Sequence, residues 1–435
     1  MKKYFEFDRL GTNFKNEILG GATTFVAMAY IVIVNPAILA NGGIPRDACV
    51  TATIIAAVIG TLIMALYAKR PFAIAPYMGE NAFIAFTVCL GMGYSWEKAL
   101  GAVFIGGVIF VVITMLRIRS WIARAIPLCL KQSFAVGIGF FIMFIGLNET
   151  GLIRLGIEAA PVKVGQLSSA SPLLAVFCII VICILMIRKI PGAILIGMLA
   201  TTVIAFIINA ADMPSAIVAM PPSLSPILFK LDIAGALSLD FLSVILVVFI
   251  LDFVDTMGTL IGVSARAGLL DENYNLPDIE KPMMADAVAT VTGALAGTST
   301  TGTFIESSTG IEAGAKSGFA SLVTAFMFIL CLFFAPLLIS VPPAAYGAAL
   351  VVVGFLMLSP IKDIHFDDYS ELFPSVATIA LMSFTFNIGF GMAAGFLLYP
   401  LFKIFSGKIK ELSPGVWVMF AIAILLFVFY PYGKI

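Results

Sequence analysis

Six acids interrupt otherwise apolar sequence, and their types and spacing define the chemistry open to the chain. Asp252 and Asp255 stand in FILDFVDTMGTLIGV, Glu80 in PFAIAPYMGENAFIAF, and Glu306 in the polar run GTSTTGTFIESSTGIEAGAKSG. Asp286 and Glu312 lie close in sequence to Lys281 and Lys316 and are expected near the interface. An acid inside apolar sequence is costly and marks function by default. The competing role is structural, a carboxylate tying helices together through backbone or hydroxyl groups. Asp255 is flanked by Thr256 and Gly258, where a ligand can approach closely, and Asp252 lies one turn earlier on roughly the same face. Such groups accept N–H bonds or carry a proton. His365, the single histidine, falls in the charged loop KDIHFDDYSE, so a buried proton relay must use carboxylates.

The surrounding composition says what holds these acids. Of 435 residues, 61% are hydrophobic and 11% charged, with net charge zero. Runs of apolar residues long enough to cross a bilayer as helices recur along the chain. This predicts an all-α polytopic membrane protein. The balance of charge gives no argument for a nucleic-acid partner. The six cysteines have no metal-ligand spacing and read as packing residues. Neither a cofactor motif nor a nucleophile–base constellation or HExxH appears, so an enzyme is not expected. The start, MKKYFEFDRLGTNFKNE, lacks the apolar core of a signal peptide.

Crossings are expected near 17–40, 48–68, 71–91, 96–116, 131–150, 171–187 and 191–209, then near 241–263, 283–297, 299–315, 317–340, 344–359, 371–386 and 388–405. Segment 416–430 either crosses or lies along the membrane. With the N-terminus in the cytoplasm, 19 basic residues fall inside and six outside, the bias expected of correct alternation. Seven crossings per half give two repeats of opposite insertion.

Two of the fourteen segments are short and interrupted, spans three and ten, at equivalent places in the two halves. Paired breaks of this kind point to a binding site near the bilayer midplane. Non-helical backbone survives there only against protein or a wet cavity. Ala73–Tyr77 is expected extended around Pro76, with a helix from about Gly79–Asn81; Thr298–Thr303 is expected extended, with a helix from Phe304–Glu306. The first N–H groups of each half-helix would then face the break. Phe83 follows one break and Phe304 adjoins the other, so a planar ligand would stack between them.

Four stretches carry a resemblance: TFVAMAYIVIVNPAIL, PYMGENAF, FVDTMGTLIGV and TSTTGTFIESSTGIEAG. Together they resemble the nucleobase–cation symporter family, in its AzgA-like branch of adenine/guanine/hypoxanthine permeases. The resemblance spans essentially the whole chain. It implies import of neutral purine bases with protons and a homodimer in the cytoplasmic membrane. It also implies a core domain (1–125 and 236–340) moving against a gate domain (126–235 and 341–435). By motif position, Asp255 and Glu306 contact the base, Gly79 and Asn81 shape the pocket, and Phe304 is the aromatic before the span-ten acid. There are departures. Tyr77 stands where the branch has glycine, Glu80 where it has an apolar residue, and Gly302 where threonine is more usual.

The chemistry suits a flat heterocycle. A carboxylate accepts base N–H groups, and charged hydrogen bonds are about twice as strong as neutral ones. Glu306, Asp255 and Glu80 are the candidates for the proton, because burial favours the neutral carboxyl. The alternative on the same architecture is an anion carrier of sulfate or bicarbonate type, since half-helix N-termini favour anions.

Overall fold

Apolar runs and polar caps set where the helices begin. Asn13, Ser95, Ser317, Asp368 and Asn387 each accept a hydrogen bond from a backbone N–H in the first turn of the helix that follows, the role for which short polar side chains are favoured. The computed structural model describes residues 1–117, 125–157, 160–271 and 276–428. Arg119, Arg124 and Lys434 of the charge count lie outside the described residues, as do 272–275 of the 268–282 loop and the end of segment 416–430.

Among the described residues, nine helices are long and apolar enough to cross a membrane, from Phe14–Asn41 to Ile388–Phe405. Three shorter apolar helices, Met78–Gly91, Ala193–Ile207 and Pro414–Val428, accompany them. The helices pack in two sets. In one, Glu280–Ala296 packs on Arg46–Ile63 and Trp96–Met115, and Gly318–Cys331 packs on Phe14–Met28. In the other, Leu128–Glu149 packs on Pro343–Met357 and Tyr369–Phe384, and Tyr369–Phe384 on Ile388–Phe405. Small residues permit the closest approach. A Cβ on Gly146 would lie 2.5 Å from the Gly347 carbonyl oxygen, and one on Gly354 2.6 Å from that of Gly139. Such backbone proximity is how helices associate where lipid removes the hydrophobic drive.

The structure is mostly helical, with two pairs of strands: one within the stretches expected extended, and one that corrects the all-α expectation. Ile74–Pro76 pairs antiparallel with Thr301–Thr303, in the register Ile74 to Thr303 and Pro76 to Thr301. A separate hairpin, Ile153–Ile157 with Ala160–Val164, joins the Leu128–Glu149 and Ala170–Ile187 helices. Its facing pairs place Ile153, Leu155, Ile157, Val162 and Val164 on one face and Arg154 and Lys163 on the other. The hairpin's short β-branched runs were hidden between two strongly apolar helices.

Candidate functional site

Two hydroxyls hold the crossed strands in the helical bundle. Thr61 donates to the Ile74 carbonyl at 3.1 Å and accepts from the Ile74 N–H at 2.9 Å. Thr290 does the same for Thr301, at 3.0 Å for both bonds. Extended backbone has no internal partners, so each buried N–H and C=O must be met from outside. Further bonds complete the ladder, from Phe304 N–H to the Ala73 carbonyl at 2.9 Å and from Tyr77 N–H to the Thr300 carbonyl at 3.0 Å. Gly297, at φ +101°, ends the Glu280–Ala296 helix and lets the chain leave it in extended form.

Each strand leads into a helix, Met78–Ala82 after the first and Ser307–Glu312 after the second. The first continues as a π-helical stretch over Phe83–Gly91. Tyr77 and Glu306 stand immediately before these two helices.

Tyr77 is the hub. Its ring lies parallel to Phe304, with centroids 6.2 Å apart and planes 8° from coplanar. Its hydroxyl is 3.0 Å from the Thr259 hydroxyl and 3.5 Å from that of Thr256. It also donates to the Thr303 carbonyl at 3.4 Å. Thr256 is therefore engaged with Tyr77. Gly302 makes room for the ring, since a Cβ there would lie 2.3 Å from it.

The acids separate by partner. Glu306 is half-buried and accepts the Tyr30 hydroxyl at 2.5 Å. Asp255 is half-buried on the Leu242–Arg266 helix, and Gly258, one turn on, is exposed with open space beside it. Asp252 is buried, with one oxygen 3.2 Å from the Thr290 hydroxyl, whose single proton it shares with the Thr301 carbonyl, and the other oxygen unbonded. Glu80 is fully buried, and neither of its oxygens has a partner.

Asp286 takes the structural role, a carboxylate bonded to backbone and hydroxyl. It is fully buried in the protein and accepts the Thr303 N–H and hydroxyl at 3.1 Å each. It ties the second strand to the helix behind it. Asp286 lies only in the second turn of the Glu280–Ala296 helix, and the face it occupies, turned toward the second strand, decides its surroundings. Glu312 is exposed and pairs with Arg266 at 2.8 Å. His365 is exposed, with Nδ1 3.4 Å from Glu371.

Asn81 accepts a hydrogen bond from Ser299, while its amide nitrogen is buried without a partner. Gly79 faces Ile138 of the Leu128–Glu149 helix, where a Cβ would come within 2.8 Å of its side chain. Gly79 thus serves close packing between the two helix sets. Phe83 lines a small apolar gap of about 10 Å³ with Val244, Val247 and Gly389. The ring stacked on Phe304 is Tyr77. Sequence reasoning missed Tyr30 and Asn35, which bonds Thr53 at 2.6 Å and Thr298 at 2.9 Å. The signal was present, as both are polar side chains within the apolar run AMAYIVIVNPAIL.

Residues 15–398 match the model of the Permease family. The chain belongs to that family. The AzgA-like resemblance drawn from the four stretches holds, and the permease is a multi-pass integral membrane protein and not an enzyme. Guanine/hypoxanthine permease PbuG of Bacillus subtilis is 42% identical to it over 440 residues, covering 99% of this chain and 100% of that protein. Adenine permease AdeQ of Escherichia coli is 37% identical over 429 residues, covering 98% and 96%. Among solved structures, the transmembrane domain of a cyanobacterium bicarbonate transporter, BicA, superposes with a TM-score of 0.63 at 16% identity, over 88% of the permease and 97% of that chain. At that identity the likeness is one of fold alone.

Proposed function

We propose that the permease carries purine nucleobases across the cytoplasmic membrane, coupled to protons. The observation that carries this reading is the position of Tyr77. It stacks on Phe304, bonds the threonines beside Asp255, and stands three residues before Glu80. A flat ring is offered aromatic faces and carboxylate edges at one place. Relatives named as guanine/hypoxanthine and adenine permeases cover nearly the whole chain.

In this reading Asp255 and Glu306 accept base N–H groups, while Asn81 and Gly79 shape the wall. Tyr77 and Phe304 supply the faces, Tyr77 taking the place first assigned to Phe83. Stacking adds about 0.5–1.5 kcal/mol beyond area burial. A base without the matching donor leaves a buried acid unpaired, which gives selectivity. The proton rides on Glu306, Asp255 or Glu80 and is released inside.

Fourteen crossings in two inverted halves account for the chain. The reciprocal bonds of Thr61 to Ile74 and of Thr290 to Thr301 support such a repeat. The two helix sets support a core (1–125, 236–340) that slides, elevator-like, against a gate (126–235, 341–435), with a homodimer formed through the gate and the N-terminus in the cytoplasm.

The test is uptake of labelled adenine, guanine, hypoxanthine and uracil by cells expressing the permease, with and without a proton uncoupler. Sulfate and bicarbonate run alongside. Purine uptake that collapses with the uncoupler is expected; anion flux without purine uptake would favour the anion carrier that the BicA-like fold permits.

A further inference from the structure

Among the described residues, Glu80 is the carboxylate with both oxygens buried and unbonded. Asp286 is met by Thr303, one oxygen of Asp252 by Thr290, and Glu306 by Tyr30. The buried Glu17 is met by Thr12, Lys316 N–H, Ser317 and Ala320 N–H. Glu80 is 0% exposed and both of its oxygens are unbonded. Its helical turn packs against Ile31–Asn41, Phe83–Gly91, Leu128–Glu149 and Leu242–Arg266. The charged groups that bear on it electrostatically are Asp255 and Asp252, both acids on the last of these. An ionised carboxylate is not held without a partner in a fully buried place, because losing its water is costly unless another group or ion compensates it.

We propose that Glu80 binds a second monovalent cation, a proton or Na⁺, so that each neutral base crosses with two positive charges rather than one. This rests on the transport reading above and goes beyond it. One cation answers the acid that loads with the base, Asp255 or Glu306. Glu80 has no hydrogen-bonding contact that would serve in place of the other.

The stoichiometry is read from a reversal potential. Purified permease in proteoliposomes is given the base it takes up best, at a tenfold gradient, with equal pH and equal Na⁺ on both sides. The voltage that stops net flux is then about 59 mV for one charge per base and about 30 mV for two. The expected value for the wild type is about 30 mV. In Glu80→Gln, or in Glu80→Leu, flux that persists should reverse at about 59 mV. A tenfold Na⁺ gradient or a one-unit pH gradient, imposed separately, moves the reversal point only for the ion that is carried, which separates the two sources. A wild-type value of 59 mV overturns the proposal even if the variants do not fold, because a single charge then accompanies each base. A value of 30 mV retained in Glu80→Gln also overturns it. Absence of any purine flux in the wild type defeats the transport reading itself, an outcome distinct from either.

Discussion

The Tyr77 ring lies where a side chain at Gly302 would stand: a Cβ there would be 2.3 Å from the ring. The ring that follows the first strand therefore depends on the missing side chain on the second.

This dependence can be measured. Gly302→Thr alone should cost about 1–3 kcal/mol through overpacking. Tyr77→Gly alone should leave a cavity and raise the KM for the base. The double variant should recover most of the loss in stability, giving a coupling energy in a double-mutant cycle of thermal unfolding in detergent. Additive losses would show that the two sites are independent.

Tyr30 donates to Glu306 at 2.5 Å. Tyr30→Phe removes a charge-assisted bond worth about 1.5–3 kcal/mol. If Glu306 grips the base in this pose, the KM for uptake should rise at least tenfold while the protein stays folded. Glu306→Gln and Asp255→Asn should each abolish accumulation against a gradient; a variant that keeps full proton-coupled uptake excludes that acid as the obligatory carrier.

Thr61→Val and Thr290→Val each leave a buried N–H and C=O of the strand unmet. Each should destabilise the permease by about 1–3 kcal/mol per group left unsatisfied. Thr290→Val should cost more, because it also strips the buried Asp252 of its one hydroxyl contact, at 3.2 Å. Thermal unfolding of both variants in one detergent checks the order.

Outside the spans, Asp368 is held well below its ordinary carboxylate range by its bonds to Lys408 at 2.6 Å and to Ser370. A depressed carboxylate contributes stability above its ordinary range and loses it as pH falls toward the folded value. Unfolding temperature should therefore fall on acidification below about pH 4, the unfolded value. Asp368→Asn should flatten that limb and lower stability near neutrality. An unchanged acid limb would show that Asp368 contributes nothing to it.

Hydropathy alone made the chain a multi-pass membrane protein, because apolar length and polar caps are local properties. The residues that run extended were also legible, since Pro76 and the run Thr298–Thr303 disfavour helix wherever they stand. The resemblance in four stretches named the family. What the sequence left open were partnerships across long separations. Tyr77 with Gly302, Tyr30 with Glu306, and Thr290 with Thr301 are set by how helices and strands meet, not by any local pattern. Asp286 shows the reason most plainly. Near a lysine in sequence, it is buried against Thr303, because the face of a helix that meets protein is decided only when its neighbours are in place.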